Sequence, residues 1–181
     1  MVAFRAEAPC LPQITLVLGG ARSGKSQYAE RLVEGAASSG IYCATAEPHD
    51  AEMAERIAAH RARRSPFWRT IETPLALASA IAAEAAPAHP VLVDCLTLWL
   101  SNLLLAGRKP DEEASILCRA LRQADGPVVL VSNEVGMGIV PETPLGRNFR
   151  DASGWLNQKV AALADRVVFI AAGLPLVLKG G

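Results

Sequence analysis

Short apolar runs rich in β-branched residues alternate along the chain with longer stretches whose apolar positions recur at helical spacing. The runs predict strands at Ile14–Leu18, Ile41–Thr45, Trp68–Ile71, Val91–Asp94, Val128–Ser132 and Val167–Ala171, with a last one near Leu176–Leu178. Several are apolar at consecutive positions, the pattern of strands covered on both faces. Helices are expected over Lys25–Glu34, Asp50–Arg64, Pro74–Ala86, Leu96–Leu105, Asp111–Ala124 and Ala152–Ala164, with Pro74 and Asp111 as starts and Gly35 and Gly107 as stops. The alternation predicts an α/β fold of three layers, a mainly parallel sheet flanked by helices. With no internal repeat or low-complexity linker, the chain divides into a loose leader over 1–13 and a single domain over 14–181.

One segment breaks the rhythm. Asn133 to Arg147 follows a strand but has no helical period, and its fifteen residues hold three glycines and two prolines. It reads as a long ordered loop at the carboxyl edge of the sheet, where open α/β sheets bind ligands. Val135, Met137, Ile139 and Val140 are expected to anchor it.

Composition narrows the field. A chain of 181 residues is long enough for one proper core. The 18 basic and 18 acidic side chains balance, so no nucleic-acid partner and no basic membrane face are expected. The most apolar window, Val91 to Ala106, carries Asp94, Thr97, Ser101 and Asn102, which argues against membrane insertion. Cys10, Cys43, Cys95 and Cys118 lie far apart with no C-x-x-C spacing, pointing to a reduced cytoplasmic setting rather than a zinc site or disulfide framework. Cys43 and Cys95, within or beside apolar runs, read as small core residues.

Chemistry enters with Gly19-Gly20-Ala21-Arg22-Ser23-Gly24-Lys25-Ser26, directly after the first strand and opening the first helix. It fits the phosphate-loop pattern G-x-x-x-x-G-K-S/T. The glycines let backbone N–H groups turn around a polyphosphate, Lys25 adds a cation for the β- and γ-phosphates, and the Ser26 hydroxyl is a Mg²⁺ ligand. Such loops need an acid on a nearby strand, and Asp94 ends one; a helix N-cap is its plainer role. Glu134, at another strand end, is the second candidate.

On the helix Asp50–Arg64, the residues Glu52, Arg56, His60 and Arg64 recur every four positions and share a face. A solvated salt-bridge face is the simplest account. The alternative is a neutral His60 set among Arg56, Arg61, Arg63 and Arg64, acting as a nucleophile toward phosphorus while the arginines hold a triphosphate. His49 in a turn and His89 in a loop have no such surroundings.

The phosphate loop, Ala44-Thr45-Ala46, the stretch Glu52 to His60, Trp68 to Glu72, Asp94-Cys95-Leu96-Thr97, Asn133 to Pro141 and Arg147 to Asp151 together resemble the bifunctional adenosylcobinamide kinase/adenosylcobinamide-phosphate guanylyltransferase family of cobalamin biosynthesis. The resemblance implies a phosphate-loop NTPase-like domain that phosphorylates adenosylcobinamide with ATP or GTP. It then transfers GMP from GTP to adenosylcobinamide phosphate through a guanylylated histidine, releasing pyrophosphate. The matching histidine is His60, preceded by Ala59 where some relatives carry a second histidine. By the same resemblance the nucleotide contacts fall on Gly19, Gly20, Ala21, Arg22, Ser23, Gly24, Lys25, Ser26, Ala44, Thr45, Ala46, Arg61, Ala62, Arg63, Arg64, Glu72 and Asp94. Mg²⁺ falls on Ser26 and Asp94, and the assembly is a trimer. Without the resemblance, a phosphate-loop small-molecule kinase lacking guanylyl transfer and a nucleotide-binding regulatory module stay open.

Overall fold

From Ile14 to the last helix, strands and helices follow one another in the order that the apolar pattern predicts. The computed structural model describes residues 10–48, 51–62 and 64–181, apart from the side chains of Glu52 and Arg56. Its strands are β1 (Ile14–Gly19), β2 (Gly40–Ala44), β3 (Trp68–Glu72), β4 (Val91–Asp94), β5 (Val128–Asn133), β6 (Arg166–Ala171) and β7 (Leu174–Lys179). The helices are α1 (Lys25–Glu34), α2 (Ala51–Ala62), α3 (Leu77–Glu84), α4 (Leu96–Leu105), α5 (Pro110–Gln123) and α6 (Pro144–Leu163). All strands join one sheet in the order β3-β2-β4-β5-β1-β6-β7, parallel except for β7, which returns antiparallel beside β6.

Helices cover both faces, which is why the inner strands are apolar at consecutive positions. Along β1, Ile14, Leu16 and Leu18 face a core shared with Leu77 and Ile81 of α3, Trp99 and Leu103 of α4, Leu117 of α5 and Leu156 of α6. Val17 points the other way, into a smaller core with Ala29 and Val33 of α1, Tyr42, Leu92 and Val129. The three-layer expectation holds.

Several boundaries shift. The expected helix Ala152–Ala164 begins eight residues earlier, at Pro144, because Thr143 Oγ1 accepts from the Gly146 N–H as N-cap while Pro144 occupies the first turn. The irregular segment after β5 is correspondingly shorter. α3 begins at Leu77 rather than Pro74, and α2 spans Ala51–Ala62, with His49, Asp50 and Arg63 outside the described residues. Residues 1–9 of the expected leader also lie outside them. Before β1, Leu11 is buried in the smaller core, and the Gln13 amide donates to the carbonyls of Ala124 and Gly126.

The strand order positions the chemistry. β5 lies between β1 and β4, so the phosphate loop after β1 and Asp94 at the end of β4 stand two strand spacings apart, about 10 Å. Residues following β2, β4 and β5 converge on the same carboxyl edge.

Candidate active site

The phosphate loop joins β1 to α1 as a tight turn. Gly20 O accepts from the Ser23 N–H at 3.3 Å and from Lys25 Nζ at 3.1 Å, which folds the lysine back over the loop. Gly24, immediately before α1, has φ +95°, a conformation that favours glycine. The turn between β6 and β7 closes on the loop, with the Gly173 N–H donating to Ser23 O at 2.9 Å. The Ser23 hydroxyl is buried with no hydrogen-bond partner among the described residues.

Beside the loop opens a cavity of about 730 Å³, lined by residues 21–26 and Gln27, by Tyr42, Ala44 and Ala46, by Met53, Ile57, Ala59, His60 and Arg61 of α2, and by Arg64, Glu72, Asp94 and Asn133. Helix α2 therefore stands over the same space as the phosphate loop. Sequence does not show whether the two meet; the fold lines one cavity with both.

A hydrogen-bonded cluster fixes His60. Tyr42 Oη donates to Asp94 Oδ2 at 2.6 Å and stands 2.7 Å from His60 Nε2. A phenol has one proton, so with it committed to the carboxylate, Oη accepts from Nε2–H. Glu30 Oε1 lies 3.5 Å and Asp94 Oδ2 3.6 Å from the same nitrogen. Arg64 lays its guanidinium over the Tyr42 ring, Cζ 3.6 Å from the centroid, and donates to Thr70 Oγ1 at 3.1 Å. Burial, reinforced by the charge and hydrogen bond of Asp94, raises the Tyr42 pKa far above the usual tyrosine value, so the hydroxyl keeps its proton.

Two of the four arginines expected around His60 fall among the described side chains, and both line its cavity. Arg61 reaches out to Glu72 at 3.3 Å with both side chains exposed, Arg64 stacks on Tyr42, and Arg63 and the Arg56 side chain lie outside the described residues. Among the described residues, a phenol and two carboxylates stand at Nε2. The cause is tertiary: β2 pairs with β4, placing Ala44 opposite Asp94 and Tyr42 close enough to bridge to it.

Among the expected nucleotide contacts, Ala21, Arg22, Ser23, Gly24, Lys25, Ser26, Ala44, Ala46, Arg61, Arg64, Glu72 and Asp94 line the cavity, whereas Gly19, Gly20, Thr45 and Ala62 do not. Thr45 is buried and clamps the residue after Asp94, its Oγ1 accepting from the Cys95 N–H and donating to the Cys95 carbonyl, both at 2.8 Å. Glu134 turns back on its own loop, accepting from the Gly136 N–H at 2.6 Å. Tyr42, Met53, Ile57 and Asn133 are lining residues that sequence reasoning missed. The signal for Tyr42 was its lone hydroxyl in an otherwise apolar strand.

Cys43 and Cys95 are core residues, as expected. Burial pushes their thiols up to about 12 and about 11. Apolar loop residues behave differently from expectation. Instead of anchoring the segment, Met137, Ile139 and Val140 are exposed. Polar bonds hold the segment: the Glu134 N–H donates to Gly19 O, and Arg147 Nη1 donates to the carbonyls of Pro141 and Glu142.

A phosphate loop between β1 and α1, with an acid ending a strand one removed from β1, defines a phosphate-loop NTPase domain. The solved ATPase EscN of the enteropathogenic E. coli type III secretion system shares the fold, with a TM-score of 0.55 at 14% identity over 89% of this chain and 43% of that one. Residues 15–178 match the family described as cobinamide kinase / cobinamide phosphate guanyltransferase, and the chain belongs to that family. The bifunctional adenosylcobalamin biosynthesis protein CobP of Pseudomonas aeruginosa is 52% identical over 91% of this chain and 96% of its own length. The bifunctional adenosylcobalamin biosynthesis protein CobU of Salmonella typhimurium is 43% identical over 91% of this chain and 98% of its length. The chain is thus an enzyme of this bifunctional transferase class, as its motifs imply. Among the described residues, no helix is long and apolar enough to cross a membrane.

Proposed function

We propose that this chain phosphorylates adenosylcobinamide with ATP or GTP and then moves GMP from GTP to adenosylcobinamide phosphate by way of His60. The observation that carries the proposal is that His60 and the phosphate loop line one cavity. A triphosphate seated on the loop thereby has a cation at one end and an imidazole within the same enclosure.

In the kinase step Lys25 and the inward N–H groups of the loop neutralise charge on the β- and γ-phosphoryl oxygens as the γ-phosphoryl passes to the acceptor hydroxyl. The orphaned Ser23 hydroxyl offers another donor there. In the transferase step a ring nitrogen of His60 attacks the α-phosphorus and pyrophosphate leaves. An oxygen of adenosylcobinamide phosphate then attacks the phosphoramidate, and the histidine is released. Tyr42, Asp94 and Glu30 hold the imidazole for this, and Arg64 holds Tyr42.

The Ser26 hydroxyl and the Asp94 carboxylate are hard oxygen donors at the loop and at the strand end, a set that fits Mg²⁺ completed by phosphate oxygens and water. Bound there, Mg²⁺ would neutralise polyphosphate charge. The reading includes a cytoplasmic enzyme, from the dispersed cysteines, and a trimeric assembly, from the family resemblance; the mass in solution checks the second.

The test is incubation of the wild-type enzyme and His60→Ala with α-labelled GTP. Wild type should give an acid-labile, base-stable protein adduct, and the variant none while still phosphorylating adenosylcobinamide. A labelled adduct on His60→Ala would overturn the assignment.

A further inference from the structure

The exposed apolar segment after β5 is unexplained by nucleotide chemistry. Ile139 is 97% exposed, Met137 81% and Trp155 58%, with Val140 and Leu145 also exposed. Apolar side chains held in water on an ordered segment mark a contact surface. This segment is ordered by polar bonds at both ends: Glu134 to Gly19, Asn157 Nδ2 to Asn133 O, and Arg147 to the Pro141 and Glu142 carbonyls.

We infer that this ridge, together with Trp155, is the seat of the corrin macrocycle of the acceptor, an inference resting on the bifunctional reading above. Position is the first argument. The ridge is continuous with the nucleotide cavity, because Asn133 lines that cavity and the next residue is bonded to Gly19 at the start of the phosphate loop. An acceptor hydroxyl delivered to the γ-phosphate arrives at this strand edge, and the bulk of the acceptor behind it rests on the neighbouring surface.

Chemistry is the second argument. Beside the ridge lies a shallow depression of about 240 Å³ lined by Gly136, Arg150, Asp151, Gly154, Trp155 and Gln158. A corrin is a broad apolar ring rimmed by amide side chains. An indole with apolar neighbours matches the ring, while a guanidinium, a carboxylate and a side-chain amide match the rim. A second copy of this chain has a better seat elsewhere: β7 is an edge strand with Leu174, Leu176, Val177 and Leu178 exposed, the kind of surface that pairs with another chain.

The test uses the full chain with adenosylcobinamide as probe. Ile139→Ser and Trp155→Ala should each raise the KM for adenosylcobinamide in the kinase step at least tenfold. The KM for GTP and the corrinoid-free GMP adduct on His60 should stay at wild-type levels. Trp155 is the exposed tryptophan, Trp68 and Trp99 being buried. Adenosylcobinamide should therefore quench the emission of the wild-type enzyme, and Trp155→Phe, which preserves the packing, should lose most of that quench. An unchanged corrinoid KM in both variants, or an unchanged quench in Trp155→Phe, overturns the assignment. So does a fall in oligomer mass with the corrinoid KM intact, which would make the ridge an interface between copies. A wild-type enzyme that forms neither product overturns the bifunctional reading itself, whatever the variants do.

Discussion

Tyr42 joins Asp94 to His60: its hydroxyl donates to Asp94 Oδ2 at 2.6 Å and accepts from His60 Nε2 at 2.7 Å. One buried phenol thus ties the acid at the end of β4 to the imidazole on α2, two groups to which the proposed mechanism gives different halves of the chemistry. Either contact alone would orient a side chain. Both at once fix the distance between the expected phosphoryl-transfer acid and the guanylyl acceptor.

Tyr42→Phe removes that bridge and little else, since the ring and its stacking under Arg64 persist. His60 then relies on Glu30 and on Asp94 at longer range. The expected result is a roughly tenfold slower GMP adduct in single-turnover experiments with α-labelled GTP, because positioning rather than chemistry is lost. Unfolding stability should drop by about 1 kcal/mol for the lost hydrogen bonds. The kinase step should change less than the transferase step. Equal losses in both would mean that Tyr42 serves Asp94 alone.

The thiols set a pH dependence of stability. In the unfolded chain they ionise near the ordinary value of 9.0, but in the fold burial holds Cys43 to about 12 and Cys95 to about 11. Above the ordinary value the native state binds more protons than the unfolded state, so stability falls as pH rises and is fully present only below it. Each thiol contributes a slope of up to roughly 1.4 kcal/mol per pH unit in that window. Urea midpoints at increasing pH from neutral into the alkaline range should fall, and Cys43→Ala or Cys95→Ala should flatten the decline. At neutral pH a maleimide should label exposed Cys10 first.

The phosphate loop was readable because its determinants are local: an apolar strand, glycines where the backbone turns, and a helix start within eight residues. The sheet was readable because covered strands carry apolar residues at consecutive positions. His60 was legible as a residue but not as a place, since its partners come from β2 and β4, and adjacency of those strands is a property of the sheet order. The partners of its arginine neighbours were out of reach for the same reason: Arg61 pairs with Glu72 and Arg64 stacks on Tyr42. Met137 and Ile139 show the other limit, because apolarity says that a side chain will be covered without saying by what. The early start of α6 was within reach, as Thr143-Pro144 is an N-cap followed by a first-turn proline.

Gly24→Ala tests how tightly the loop geometry is set. The residue sits at φ +95°, and its added Cβ would stand 3.4 Å from Gly173 Cα in the β6–β7 turn. An L-residue is strained there by about 1–2 kcal/mol. The loop should relax by turning its N–H groups away from the phosphates, and the Kd for GTP, measured by calorimetry, should rise about tenfold, the size of that strain. An unchanged Kd would show that phosphate affinity does not depend on the αL turn.

Lys25→Met separates the shared seat from the two reactions that use it. Lys25 is 8% exposed and its ammonium donates to Gly20 O, so the cation is pre-placed rather than recruited from solvent. Charge held in a dry site is worth far more to a developing phosphoryl anion than the same charge in water. Methionine keeps most of the stem volume, which leaves the fold intact while the cation goes. Phosphorylation of adenosylcobinamide should fall about 10²–10³-fold in kcat. Guanylyl transfer should fall too, although its bond cleavage is at the α-phosphate, because the departing pyrophosphate carries the charge that Lys25 neutralises. His60→Ala, by contrast, should abolish only the second reaction. If Lys25→Met spared adduct formation while the kinase step collapsed, GTP would occupy a different seat in the two reactions, and a single cavity lined by both residues would not explain the enzyme.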